Sequence, residues 1–129
     1  MKTSSAILLA AFVATAAEVA CAQEGITRTD LQRHDLSIPA REVVQVRVDI
    51  APGVASAWHT HPGEEIIYVI EGSLEYQVGD EMPVMLRAGE VLFVPAGAKH
   101  RARNLGSVNG AELATYIVEK GKPLATVVE

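Results

Sequence analysis

Hydrophobic and polar residues alternate with a period of two along much of the chain after residue 42. In VQVRVDI (44–50), aliphatic side chains at every second position are separated by Gln, Arg and Asp, which is typical of a strand with one buried face. Residues 30–41 instead predict an irregular or edge segment. The further strands that the pattern predicts are IIYVI (66–70), LEYQV (74–78), VML (84–86), VLFV (91–94) and ELATYIV (112–118).

Turn sequences rich in Gly and Pro separate these predicted strands. They are APG (51–53), GDEMP (79–83), RAGE (87–90) and PAGAK (95–99). No segment keeps a helical period over a useful length. The sequence therefore predicts an all-β domain, an antiparallel sandwich or barrel of short strands.

The N-terminal segment has the pattern of a cleavable signal peptide. Lys2 precedes an apolar run, AILLAAFVATAA (6–17), and ACA (20–22) predicts cleavage after Ala22. The uncharged run is shorter than the roughly 20 residues of a membrane-spanning helix. Lipidation of Cys21 is the alternative, but Glu18 stands where a lipoprotein signal normally has Leu. We therefore expect a periplasmic or secreted protein, without a membrane span.

Cleavage after residue 22 of the 129-residue chain would leave a mature protein long enough for one small domain. We expect a signal peptide over 1–22, an N-terminal arm over 23–42, a β-barrel over 43–120 and a tail over 121–129. Cys21 is the only cysteine, so the mature chain has no disulfide and no thiolate ligand. A net charge of −5 argues against a nucleic-acid partner.

Residues 59–65, HTHPGEE, hold the first candidate ligands. His59 and His61 project from the same face of an extended chain, with Cα atoms roughly 6.5–7 Å apart. The Pro62-Gly63 turn returns Glu65 to that side, whereas Glu64 has the opposite phase and is interpreted as a solvated turn residue. Imidazole and carboxylate groups together suit Fe, Mn, Ni, Cu or Zn as divalent ions.

A fourth candidate, His100, follows a Pro/Gly loop at the start of a predicted strand. Alternation places Ala102 and Asn104 on the same face as His100, and Arg101 and Arg103 on the other. Each feature alone has an ordinary structural explanation, because a lone histidine is more often a surface or hydrogen-bonded residue than a ligand. Only the combined spacing points to a site.

That combined spacing resembles the two signature motifs of the cupin superfamily. The first segment, 53–72, has Gly53, His59, His61, Glu65 and Gly72 separated by five, one, three and six residues. The second segment, 89–104, has its fixed residues separated by five, one, two and three residues, and these are Gly89, Pro95, Gly97, His100 and Asn104.

The resemblance implies a small jelly-roll barrel that holds one divalent transition-metal ion. Its ligands would be three imidazoles and one carboxylate, those of His59, His61, His100 and Glu65. It also implies a homodimer, since small cupins commonly dimerise. Strand 44–50, near the N-terminal arm, is the expected candidate for pairing with the second subunit. Gly53, Gly72 and Gly89 are expected in turns with positive φ.

The cavity around the metal is expected to be apolar, lined by Ala57, Ile67, Val69, Phe93 or its neighbours, and Ala102. No general acid or base other than a metal ligand or a bound water is evident from the motif strands, so Glu65 is the one candidate proton relay. Asn104 is interpreted as a structural residue that satisfies backbone groups.

The remaining polar and aromatic candidates are interpreted as structural. Arg101 and Arg103 are expected at a solvated edge, and His34 has no partner in the sequence. Trp58 is expected to pack on the outer side, against another strand or a subunit, and the same interpretation applies to Tyr68 and Tyr76.

Three functions follow from the resemblance. The first is a dioxygenase-type oxidoreductase that uses iron or a similar metal on a small organic substrate. The second is non-redox isomerase or lyase chemistry on a sugar or hydroxy acid, with the metal as a Lewis acid. The third is a binding module that does not turn over its ligand.

Overall fold

The computed structural model describes residues 23–129, which form two antiparallel β-sheets; the predicted signal peptide lies outside the described residues. The strands are β1 (Ile26–Asp35), β2 (Arg41–Ile50), β3 (His59–Thr60), β4 (Gly63–Glu71), β5 (Ser73–Val78), β6 (Val84–Arg87), β7 (Val91–Val94), β8 (His100–Arg103), β9 (Gly110–Glu119) and β10 (Thr126–Val127). Over this part of the chain, no helix is long and apolar enough to cross a membrane.

Each sheet has five strands. The first sheet has the order β1-β2-β9-β4-β7, and the second has the order β10-β3-β8-β5-β6. Sequence neighbours such as β3 and β4 therefore lie in different sheets, and the chain crosses repeatedly from one sheet to the other. The all-β antiparallel prediction is confirmed.

The hydrophobic core lies between the two sheets and follows the predicted alternation. Val44, Val46, Val48 and Ile50 on β2 are all buried, and the residues between them are only half-buried. Leu74 on β5 and Leu86 on β6 join the same apolar cluster from the second sheet. Burial of one face of each strand is what a two-layer β-fold requires.

The segment predicted to be irregular or at an edge contributes to a long edge strand. Residues 26–35 form β1, which pairs with β2 from Ile26 opposite Ile50 to Asp35 opposite Glu42, with a bulge near Leu31. Most β1 side chains are exposed. The alternation of polar and apolar residues is weak there because neither face of β1 is buried, so neither face has to be apolar.

Strand β2 has no edge with which to bind a second subunit, so that expectation is wrong. It is hydrogen-bonded to β1 on one side and to β9 on the other. The homodimer itself is a separate expectation and stays a prediction.

Two of the expected cavity residues face outward. Phe93 is 59% exposed, and its neighbour Val94 takes the buried position instead. Ala57 is also exposed, because it precedes β3 in a loop. Ile67, Val69 and Ala102 are buried as predicted.

Glycine allows two close approaches that position the site. A Cβ on Gly63 would lie 2.0 Å from the Ile117 carbonyl oxygen, so β4 and β9 meet this closely only because the residue has no side chain. Gly72 has φ +65°, and a Cβ there would lie 2.4 Å from the Asn109 oxygen. Gly53 and Gly89 also have the positive φ that the sequence predicted.

Candidate metal centre

The four candidate ligands come together from both sheets. His59 lies on β3 and His100 on β8, where they are direct partners in the second sheet. His61 follows β3 by one residue, and Glu65 lies on β4 of the first sheet. The crossing of the chain between β3 and β4 therefore carries the motif from one sheet to the other.

The three imidazoles form a compact cluster. One nitrogen from each of His59, His61 and His100 lies within 4.8 Å of the others. Glu65 lies beside two of these rings, with Oε2 2.9 Å from His100 Nε2 and 3.2 Å from His61 Nε2. His61 and His100 are buried, and so is Glu65.

Backbone carbonyls hold the Nδ1 atom of every ring. Nδ1 of His59 lies 2.8 Å from the Ala57 oxygen, and Nδ1 of His100 lies 2.8 Å from the Ala98 oxygen. Nδ1 of His61 lies 2.6 Å from the Leu124 oxygen. A carbonyl oxygen can only accept, so each Nδ1 carries a proton, and a ring of this cluster that is neutral has its lone pair on Nε2. Metal-binding histidines are held in this way in other proteins.

The His61 Nε2 atom tests whether the site fits a cation. This atom is buried and has no hydrogen-bond partner among residues 23–129. Glu65 Oε2 is 3.2 Å away, but the contact lacks the alignment of a hydrogen bond. A lone pair that faces a buried carboxylate is unfavourable unless a cation or proton lies between them. The donor set therefore fits a divalent metal ion.

Burial and neighbouring charges set the protonation of the cluster. Burial lowers the pKa of His59 to about 4, so its ring is neutral at pH 7. Burial alone would raise the pKa of the Glu65 carboxyl. The hydrogen bond with His100 and the interaction with His61 have the opposite effect and are stronger together, so the pKa of Glu65 is lowered. Burial likewise opposes a charged His100, yet the bond to Glu65 raises the pKa of this ring. Metal binding requires neutral imidazoles and an ionised carboxylate, so an ion in this cluster would displace the proton between His100 and Glu65.

The cavity beside this cluster contains polar groups that the sequence analysis missed. Tyr76 of β5 and Glu112 of β9 are buried and line the cavity together with Glu65 and His100. Tyr76 donates a hydrogen bond to Glu112 Oε2. The expectation that Tyr76 packs on the outer side is wrong, as is the expectation of an apolar cavity.

Alternation contained a signal for one of the missed residues. Tyr76 shares its phase with Leu74, which is buried, whereas Glu75 and Gln77 have the opposite phase. Glu112 was harder to find, because both faces of ELATYIV carry apolar residues and neither face is marked as the inner one. On β9 the inner face holds Glu112, Ala114, Tyr116 and Val118.

Asn104 has the structural role that the sequence predicted. Its amide nitrogen donates to the carbonyl oxygens of Ile50 and Val108, at 2.8 Å each, and its Oδ1 accepts from the Gly106 nitrogen at 2.9 Å. The residue is 1% exposed. It therefore joins the end of β8 to the end of β2.

Arg101, Arg103 and Trp58 interact with one another or with neighbours outside the cavity. The Arg101 guanidinium lies over the Trp58 ring, 4.6 Å from its centroid, and Arg103 pairs with Glu75. Tyr68 is 45% exposed on the outer face of β4.

Glu64 and His34 both lie outside the histidine cluster. Glu64 lies on β4 rather than in a turn, and it is half-buried on the face opposite Glu65. His34 is exposed on β1, away from the cluster.

Most of this domain matches a known protein family. The family model described as a cupin domain matches residues 46–118. The polyketide synthase protein TcmJ of Streptomyces glaucescens is 42% identical over 62 residues, which are 47% of this chain and 41% of that protein. A germin-like protein of Morus alba is 43% identical over 68 residues, which are 49% of this chain and 32% of that protein.

A solved structure supports the fold over a larger part of the chain. A protein of Klebsiella pneumoniae with a double-stranded β-helix domain matches with a TM-score of 0.68 at 22% identity, over 84% of this chain and 88% of that one. By contrast, the chain spans less than half the length of the two curated relatives named above.

Proposed function

The chain belongs to the cupin domain family, and from this we propose that it binds one divalent transition-metal ion and uses it on a small organic substrate. The proposed ligands are His59, His61 and His100, with Glu65 as the fourth. The observation that carries the proposal is the unpartnered Nε2 of His61 within the three-histidine cluster. The carbonyl contacts of all three Nδ1 atoms support it.

As the first candidate activity we propose a dioxygenase-type oxidoreductase. When bound, a redox-active ion such as Fe(II) would supply the activation of dioxygen. The protein itself supplies the neutral imidazoles, the buried carboxylate and a cavity that excludes most water. Glu65 is the candidate proton relay, because it is the carboxylate that lies within the histidine cluster, with Oε2 2.9 Å from His100 Nε2.

Elemental analysis of the purified protein tests the metal site directly. We expect about one divalent ion per chain in the wild type and almost none in the His59→Ala/His61→Ala double variant, since two of the proposed ligands are removed. His34→Ala is the matched control, because this histidine is exposed on β1 and away from the cluster. Equal metal content in the double variant and the wild type would remove the basis of the proposal.

Oxygen consumption tests the oxidoreductase. The iron-loaded protein should consume oxygen with at least one member of a panel of catechols, enols and flavonols, and the double variant should not. The likeness to a polyketide synthase protein adds polyketide-derived enols to the panel. A lack of oxygen uptake across the whole panel contradicts this activity.

The second candidate is non-redox isomerase or lyase chemistry, and one observation favours it. An apolar cavity would leave the chemistry to the metal, whereas the buried Glu112 and Tyr76 give this cavity proton-carrying groups of its own. Activity on a sugar or hydroxy acid that survives replacement of iron by zinc would support this candidate. Activity that zinc abolishes would support the oxidoreductase.

The sequence is the basis for three further proposals: that the protein is exported, that it forms a homodimer, and that its domains have the limits given in the sequence analysis. We propose cleavage after Ala22, with a periplasmic or secreted product that forms a homodimer. N-terminal sequencing of the exported protein should begin at Gln23; a blocked, lipidated Cys21 would contradict it.

A further inference from the structure

The outer face of the first sheet carries a continuous group of exposed apolar side chains. On β4, the outward side chains of Ile66, Tyr68 and Ile70 are all exposed. The neighbouring edge strand β7 adds Val91 and Phe93, which are 63% and 59% exposed. Phe93 lies opposite Ile66 on this face. Val91 lies opposite Tyr68, so the side chains of the two strands are cross-strand neighbours.

Strand β9, on the other side of β4, extends this apolar surface toward the middle of the sheet. Leu113 lies opposite Tyr68, and Ile117 lies opposite Glu64. Both side chains are half-buried on the side of β9 that faces away from the core. We refer to these two side chains, together with the exposed apolar side chains of β4 and β7, as the apolar face.

Polar and charged side chains border the apolar face. Gln45 of β2 donates a hydrogen bond to Thr115 of β9 at 2.9 Å. Arg47 of β2 pairs with Glu71 at the end of β4, with 2.9 Å between Nη2 and Oε2. An apolar centre inside a polar rim is the arrangement of a protein–protein interface.

The outer face of the second sheet is polar by contrast. Glu75 of β5 lies opposite Arg103 of β8, and the two form an ion pair. Gln77 lies opposite Arg101 on the same face. A solvated face of an antiparallel sheet normally has this polar character. The apolar face departs from it, and a contiguous exposed apolar patch with a polar rim marks a surface that a partner covers.

A second copy of the same chain is a partner that suits this surface. A two-fold axis would bring the apolar centre of one copy against the same centre of the other, so no separate complementary surface is required. Two sheets that pack face to face about 10 Å apart form a stable apolar layer. An anionic membrane is disfavoured, because the net charge is −5 and Glu64 and Glu71 lie beside the apolar face.

The size of the first sheet also suits a dimer. Strands β1, β2 and β9 have 10 residues each and β4 has 9, which corresponds to a length of about 30 Å. The 5 strands of the sheet, about 4.8 Å apart, span about 24 Å, so the outer face covers roughly 700 Å² in projection. This is close to the roughly 800 Å² per partner that a standard interface buries.

We propose that the apolar face is an interface with a second copy of this chain, in which the two first sheets pack face to face about a two-fold axis. The inference rests on the homodimer of the proposed function and deepens it by naming the surface that the partner covers. It also replaces the strand pairing that β2 cannot make, because β2 already has a hydrogen-bonded neighbour on each side.

Analytical ultracentrifugation of the mature, metal-loaded protein over a dilution series measures the dimer dissociation constant. Tyr68→Lys should raise this constant at least about hundredfold, because an aromatic side chain at the centre of the interface is replaced by a charge. Phe93→Thr should raise it at least about tenfold and keeps a residue that favours strands, so it decides the matter if the lysine variant does not fold.

Met85→Lys is the matched control for Tyr68→Lys. Met85 is 46% exposed on β6 of the second sheet, and Tyr68 is 45% exposed on β4 of the first. Both substitutions place the same charge on an outward apolar position of a strand. The control should keep the dissociation constant of the wild type within about threefold, which is the range of an uninvolved surface substitution.

The outcomes separate the interface from the proposals on which it rests. A wild-type dimer that persists in Tyr68→Lys and Phe93→Thr, or that dissociates equally in Met85→Lys, would overturn the interface but leave the homodimer standing. A monomeric wild type would overturn both, and co-sedimentation of that monomer with phosphatidylcholine vesicles would give the apolar face a membrane as its occupant instead. Elemental analysis of the same samples should find equal metal content in all of them, whereas a metal-free wild type contradicts only the metal site.

Discussion

Individual residues in this domain owe their roles to the backbone groups that they contact. The Nδ1 atom of each cluster histidine contacts a carbonyl oxygen, and this turns Nε2 of each ring toward the proposed metal position. Asn104 does the converse, since its side chain hydrogen-bonds three backbone groups, of which the Ile50 carbonyl is buried. The first role serves the chemistry of the site and the second holds its strands in place.

Asn104→Ala should lower the free energy of unfolding by about 3 kcal/mol, because the buried Ile50 carbonyl loses its partner and two further hydrogen bonds are lost. Denaturant titration measures this change. Asn109→Ala is the control: this half-buried side chain makes a hydrogen bond only to Asp49, at 2.9 Å, and its loss should cost about 1 kcal/mol or less. Equal losses in the two variants would contradict the role given to Asn104.

At the scale of elements, the pairing of β4 with β9 positions the carboxylate of the site. Gly63 begins β4 against Val118 of β9, and two residues later Glu65 lies opposite Tyr116. The Tyr116 ring is in turn 4.6 Å from the His61 ring. Close contact at Gly63 therefore sets the depth at which Glu65 meets the histidines.

Gly63→Ala should force β4 away from β9, because the new Cβ would lie 2.0 Å from the Ile117 oxygen. We expect a loss of about 2 kcal/mol or more in unfolding free energy, together with a lower metal content. Gly79→Ala is the matched control. Its Cβ would meet nothing within 4 Å, so only the strain of φ +53° applies, about 1 kcal/mol. A Gly63 variant that keeps full stability and metal content would show that the strands tolerate the separation.

At the scale of the whole molecule, the proposed ligands connect the two sheets. His59 and His100 belong to the second sheet and Glu65 to the first, so one ion would cross-link both layers close to the core. A ligand that binds the folded state alone stabilises it in proportion to the logarithm of its concentration. The metal is thus expected to contribute to stability as well as to chemistry.

Removal of the metal with a chelator should lower the melting temperature of the wild type. At a free metal concentration of about 100 times Kd, the lost stabilisation is about 2.7 kcal/mol. Calorimetry with and without chelator measures the shift. The His59→Ala/His61→Ala variant should melt at the same temperature in both conditions, whereas an unchanged wild type would contradict binding to the folded state.

The sequence by itself determined the fold class, most of the strands and the membership of the cupin family. Alternation marks a strand wherever one face is buried and the other is not, as in 44–50, and fixed motif spacing depends only on local geometry. The same motifs named the histidines and the carboxylate that the structure brings together, although their binding of a metal is still a prediction.

The tertiary structure alone decided which polar residues share the cavity with that cluster. Glu112 lies on a strand whose two faces look alike in sequence, and β1 is an edge strand with little apolar contrast. The inner face of β9 is set by pairing with the distant strand β4, at a register that no local pattern records. Glu112 on β9 and Tyr76 on β5 belong to different sheets and meet only because the two sheets pack face to face, so their hydrogen bond is a property of the packed fold.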